Sequence, residues 1–105
     1  MKKSFILLTV LLILSAPYAY AGRVAQDCTF RGKKLYGKVK VVDSFEDFKV
    51  KKVTSFEDIK VKKVSTFADK CGRWQFVDTF ENFKVKFVDS FEDFSIKYVD
   101  SFEGL

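Results

Sequence analysis

The sequence predicts an all-β domain built from short strands, and three observations predict it. An eleven-residue unit recurs along most of the chain, its central residues alternate apolar and polar, and it is rich in Val, Phe, Ile, Thr and Tyr. Aligned on the leading valine, the copies read VDSFEDFKVKK from Val42, VTSFEDIKVKK from Val53 and VSTFADKCGRWQF from Val64. They continue as VDTFENFKVKF from Val77, VDSFEDFSIKY from Val88 and a truncated VDSFEGL from Val99. An eleven-residue period can also signal a right-handed helical supercoil. On a helical wheel, however, the apolar positions scatter over a wide arc with no seam, and the repeats contain almost no alanine.

Read as strands, the units fall into place. Phe83-Lys84-Val85-Lys86-Phe87 alternates as one buried face requires, and Val88 turns the chain to the other face. Asp89-Ser90-Phe91-Glu92-Asp93 then supplies residues whose side chains bond their own backbone in a bend. Strands are expected near 38–42, 48–53, 59–64, 74–77, 83–88 and 94–99. The stretch Gly37-Lys38-Val39-Lys40-Val41 matches only the second part of a unit and opens the series.

The first segment, MKKSFILLTVLLILSAPYAYAG, has another character. Lys2 and Lys3, the apolar run Phe5 to Leu14 and the Ala19-Tyr20-Ala21 site read as an export signal over residues 1–21. The run is shorter than the roughly 20 residues a bilayer span needs. A single domain over 22–105 is therefore expected in the periplasm or outside the cell, with no membrane span after processing, and as a monomer. Two cysteines, Cys28 and Cys71, are expected to form a disulfide in that compartment. The sum of aromatic and aliphatic burial nearly balances chain entropy for a domain of this size, so such a staple matters.

The repeat divides into two unlike halves. Residues 37–67 and 74–105 flank a joint at 68–73, where the third copy is two residues longer than the rest. From Gly22 to Phe76 there are 14 Lys/Arg against 7 Asp/Glu, and from Val77 onward 3 against 7. Opposite charge favours packing of one half on the other. The residue before each repeat valine is Lys52 or Lys63 in the first half and Phe76, Phe87 or Tyr98 in the second. One slot that is wet in one half and covered in the other is expected of halves wound together, rather than of a single-wound β-solenoid.

The stretch CGRWQFVDTFENFKVKFVDSFEDFSIKYVDSFEGL, from Cys71 to Leu105, carries a resemblance to the bacterial septoil-knot domain family, which extends over about residues 28–105. The resemblance implies a small β-rich domain whose two repeat halves wind around each other into a seven-crossing torus knot. It implies a fold and no activity.

No catalytic constellation is expected. There is no histidine to activate a Ser or Cys nucleophile. Ser44, Ser90 and Ser101 sit where turn hydroxyls belong. The pairs Glu46-Asp47, Glu57-Asp58 and Glu92-Asp93 repeat too regularly for one tuned acid–base site. No cofactor and no metal site are expected. Trp74 beside Arg73 reads as core, with a sugar-stacking platform as the alternative. The expected role is an exported, non-enzymatic structural or interaction domain. The alternative is a protein that binds an anionic envelope polymer through Lys49, Lys51, Lys52, Lys60, Lys62 and Lys63, whose spacing of eleven would align them in rows on stacked strands.

Overall fold

A computed structural model describes Tyr20–Ala21 and residues 23–105. The signal expected over 1–21 lies outside the described residues except for its last two positions. Among the described residues the chain is all β, and no helix is long and apolar enough to cross a membrane. Six strands carry the domain: β5 (Gly37–Val41), β6 (Phe48–Lys52), β7 (Ile59–Lys63), β8 (Arg73–Phe76), β9 (Phe83–Phe87) and β10 (Phe94–Tyr98). Each lies within a residue or so of its expected place. Four two-residue strands precede them, β1 (Tyr20–Ala21), β2 (Val24–Ala25), β3 (Thr29–Phe30) and β4 (Lys33–Lys34), paired β1–β2 and β3–β4. Pieces this short carry no periodicity, so the sequence does not announce them.

The six long strands close into an all-parallel barrel in the order β10-β6-β9-β5-β8-β7. Every neighbour of a first-half strand belongs to the second half, and every neighbour of a second-half strand to the first. This alternation rules out a single-wound solenoid and establishes the two-half winding. Parallel neighbours ordinarily need a crossover of a dozen or more residues. Here six suffice, because the registers accumulate to a shift of about 12 residues around the barrel and so tilt the strands steeply. The end of one strand thereby comes level with the start of the next of its own half, with one strand of the other half between them.

Each connection crosses that intervening strand on its outer side. The Val42 amide donates to the Val85 carbonyl on one flank of β9, and the Asp47 amide donates to the Lys84 carbonyl on the other. The same pair of bonds brackets β10 (Val53 to Ile96, Asp58 to Ser95), β5 (Val77 to Val39, Asn82 to Lys38), β6 (Val88 to Val50, Asp93 to Lys49) and β7 (Val99 to Val61, Gly104 to Lys60). The last residue of each arch also answers with its side chain. The Lys84 amide donates to Asp47 Oδ2 (2.7 Å), Ser95 to Asp58 Oδ2 (2.8 Å), Lys38 to Asn82 Oδ1 (2.7 Å) and Lys49 to Asp93 Oδ2 (2.7 Å). These side chains, three carboxylates and one carboxamide, were expected to bond their own turns, and instead they fasten the other half's backbone. At Gly104, which has no side chain, the Lys60 amide donates to the Gly104 carbonyl instead (2.8 Å).

The joint departs from this pattern. The chain leaves β7 and, rather than crossing β8, enters it; Val64 donates to the Trp74 carbonyl and Lys62 to that of Gly72. Stepping onto the neighbouring strand shifts the second half into the gaps left by the first. Gly72 makes this possible: at φ +85°, a Cβ there would meet the Lys60 carbonyl oxygen at 2.3 Å. The joint is stapled by the Cys28–Cys71 disulfide, as expected.

Inside, side chains stack in three layers. The middle layer is Val39, Val50, Val61, Trp74, Val85 and Ile96, all fully buried. Trp74 is core and no exposed platform, and its indole Nε1–H donates to the Leu35 carbonyl (3.0 Å). At the end where strands start, Phe94, Phe48 and Phe83 follow one another around the barrel, and Gly37 and Gly72 stand side by side between Phe83 and Ile59. The N-terminal arm closes that end, with Phe30 packed 5.6 Å from Phe48 and 5.4 Å from Phe94 between ring centroids. At the opposite end the Lys-or-aromatic slot alternates around the rim. Lys52 Nζ lies 4.9 Å over the Phe87 ring and Lys63 Nζ 4.3 Å over Tyr98. Two aromatic residues of one half, Phe87 and Tyr98, are thus covered by lysines of the other, and burial pushes the Tyr98 hydroxyl above its ordinary pKa.

The clasp has a direct test. Asp47→Ala should cost about 1–3 kcal/mol in equilibrium denaturation, by leaving the Lys84 amide without its acceptor. Asp47→Asn should lie near wild type, because Asn82 already does this work at its own crossing.

Candidate functional site

The feature that stands out on the surface is the first phenylalanine of each repeat. Phe45, Phe56, Phe67, Phe80, Phe91 and Phe102 occupy the arch tips with φ between 57° and 60°, the left-handed region. Gly and Asn adopt this conformation readily, whereas it costs other residues roughly 1–2 kcal/mol. The left-handed residue turns the arch so that it can cross a strand and come down on its far side. Nothing in that geometry asks for an aromatic ring. Yet all six rings stand in solvent, from 76% exposed at Phe67 to 98% at Phe56. The aromatic residues were expected to be buried, yet six of the eleven repeat phenylalanines are exposed tips; Phe48, Phe83 and Phe94, three residues further along their units, are core.

Five of the tips lie on arches that cross a strand at an equivalent register point, and Phe67 lies in the joint between β7 and β8, so the tips are distributed around the barrel. Four of them present Asp two residues before the ring, at Asp43, Asp78, Asp89 and Asp100, all exposed. Phe56 and Phe67 have Thr54 and Ser65 in that place.

Beneath the arches the outward strand positions form a cationic belt. The six lysines singled out by spacing all fall on β6 and β7, but these strands are separated by β10, so the expected stacked rows do not form. Cations face one another across the halves instead. Lys40 lies beside Lys84, Lys49 beside Lys86, Lys60 beside Lys97 and Lys62 beside Arg73. Like charges directly opposite are unfavourable. The arch glutamates offset two of these pairs. Glu57 Oε2 is 3.2 Å from Lys60 Nζ, and Glu103 Oε2 accepts from Arg73 Nε at 2.8 Å. Its own backbone amide, then Lys60 and Lys97, hold the Glu57 carboxyl below its usual range; Arg73 foremost, with Lys62, does the same for Glu103. Of the six candidate lysines, Lys60 is engaged by Glu57 and Lys52 and Lys63 lie over rings, while Lys49, Lys51 and Lys62 make no ion pair among the described residues.

A third surface feature lies where the N-terminal arm meets the joint. An open depression of about 620 Å³ is lined by Arg31, Lys33, Lys34, Tyr36 and Asp69, among others. Arg31 and Lys33 are held by Asp93 (3.0 Å) and Asp47 (3.6 Å), which tie the arm to two arches. Lys34 is exposed and makes no ion pair among the described residues; its Nζ lies 5.8 Å over the Tyr36 ring.

The profile of the 7(1) septoil knot domain matches residues 32–105. A search of curated proteins returns no match.

The belt sets a pH dependence. Glu57 and Glu103 have folded-state pKa values below the ordinary 4.5, so the stability they contribute is present above that value and is lost as pH falls through the folded one. The denaturation midpoint should therefore hold from neutral pH down to about 5 and decline below it. Glu103→Gln should lower the midpoint at neutral pH and shrink its drop into acid; an unchanged drop contradicts the assignment.

Proposed function

This chain belongs to the 7(1) septoil knot domain family, and from that premise we propose that it is an exported, non-enzymatic interaction domain that engages its partner through the arch tips. The observation that carries the reading is the set of six exposed phenylalanines, each held in a conformation that favours Gly or Asn. Strained, exposed residues concentrate at functional sites, and aromatic rings are the side chains that contribute most when a contact is made. Six tips on one small barrel also support multivalent binding, in which weak contacts reinforce one another. The interleaved barrel and the Cys28–Cys71 bridge provide a rigid mount for them. The bridge and the leader pattern over 1–21 together support export to the periplasm or beyond the cell.

Binding of an anionic envelope polymer by Lys49, Lys51, Lys52, Lys60, Lys62 and Lys63 has less support. Half of these lysines already have a carboxylate or a ring of the domain itself as partner. Nor do the six share one row, because β10 divides them.

The test is retention of exported protein by the native envelope fraction and culture medium, compared between wild type and a variant with all six tips changed from Phe to Asn. Asn suits the left-handed backbone, so the variant should keep the wild-type denaturation midpoint while losing most retention. Retention equal to wild type at an unchanged midpoint would rule out the tips as the contact.

A further inference from the structure

The arch tips and the arm–joint depression are complementary to each other within a single molecule's surface. Four tips combine an exposed ring with an exposed carboxylate, in Asp43-Ser44-Phe45, Asp78-Thr79-Phe80, Asp89-Ser90-Phe91 and Asp100-Ser101-Phe102. The depression offers the opposite set: cations at Arg31, Lys33 and Lys34 against the single carboxylate Asp69, beside the Tyr36 ring. At about 620 Å³ it has room for one phenylalanine ring and its neighbours. Lys34 is the cation there with no carboxylate of its own. Contacts of this chemistry already hold the domain together, since lysines sit over Phe87 and Tyr98 at the barrel rim. Arg31 Cζ likewise lies 4.8 Å from the Phe30 ring centroid.

We propose that an Asp-bearing arch tip of one copy docks in the arm–joint depression of a second copy, so that the domain self-associates weakly as its concentration rises. This deepens the tip-binding reading by naming a second copy of this chain as a partner. The contact is heterologous, with one patch meeting a different patch, so it does not close on itself as a two-fold dimer does. Each copy has one depression and four Asp-bearing tips, so chains and branches form rather than a single closed species. The carboxylate–lysine contribution is exposed and screened, so association weakens with salt.

The experiment is sedimentation of the exported, oxidised protein from roughly 10 µM to roughly 1 mM at low and at moderate salt, the range where a contact of one ring and a few charges registers. Wild type should gain mass with concentration, more so at low salt. Lys34→Glu, which reverses the charge of the depression, should stay monomeric. So should the variant with Phe45, Phe80, Phe91 and Phe102 changed to Asn, whereas Phe56→Asn alone should behave as wild type. Mixing the two monomeric variants should restore a complex, since one supplies tips and the other the depression. A wild type that remains monomeric throughout, a four-tip variant that still associates, or a mixture that fails to pair would each overturn the proposal. If tip-dependent retention by native material persisted in any of those cases, the tips would still be contacts and only the self-docking would be lost.

Discussion

Everything in this fold depends on one reciprocal contact, made where an arch of one half crosses a strand of the other. The last residue of the arch donates its amide to the strand backbone and accepts the strand's amide on its side chain. Asp47 with Lys84, Asp58 with Ser95, Asn82 with Lys38 and Asp93 with Lys49 repeat this arrangement. A strand in such a barrel already has both edges occupied by neighbours. The clasp adds a connection across its outer side, so neither half has a complete sheet without the other. Ordering one half by itself would leave unpaired strand edges and exposed Val and Phe, both unfavourable in water.

From that constraint the other features follow in sequence. Crossing only one strand keeps the arch at six residues, and the steep tilt that permits this closes the barrel at six strands. So narrow a barrel has room for three layers of side chains, and glycine must stand at two positions of the lowest. At Gly37 a Cβ would lie 2.6 Å from Asn82 Oδ1, the atom that makes the clasp there. An arch so tight needs one left-handed residue at its crest. The fold therefore explains the conformation of each tip but not its aromatic ring, and it is this remainder that points outward, to binding.

Much of this was legible in the sequence, for identifiable reasons. Alternation in Phe83-Lys84-Val85-Lys86-Phe87 located strands because one face is core. The lysine-to-aromatic switch located the second half because Lys52 and Lys63 cover Phe87 and Tyr98 across the winding. The longer third copy located the joint, and the two cysteines their bridge. Other features depend on contacts that no local pattern encodes. Nothing near Asp93 reveals that its carboxylate serves Lys49, 44 residues away. Strand order is equally silent, so lysines eleven apart looked adjacent although β10 lies between them. Phe91 and Phe94 are both apolar in the repeat, and only the left-handed backbone at Phe91 separates an exposed tip from a buried ring.

The clasps fasten each half to the other, and amide hydrogen exchange of the native protein reads them individually. The amides of Lys38, Lys49, Lys84 and Ser95 should exchange only through global unfolding, at one common free energy, together with core amides such as Val50 and Val85. Exchange at those four positions as fast as at the exposed arch residues Ser44 and Ser90 would contradict it, by showing that the arches lie over the strands without fastening them.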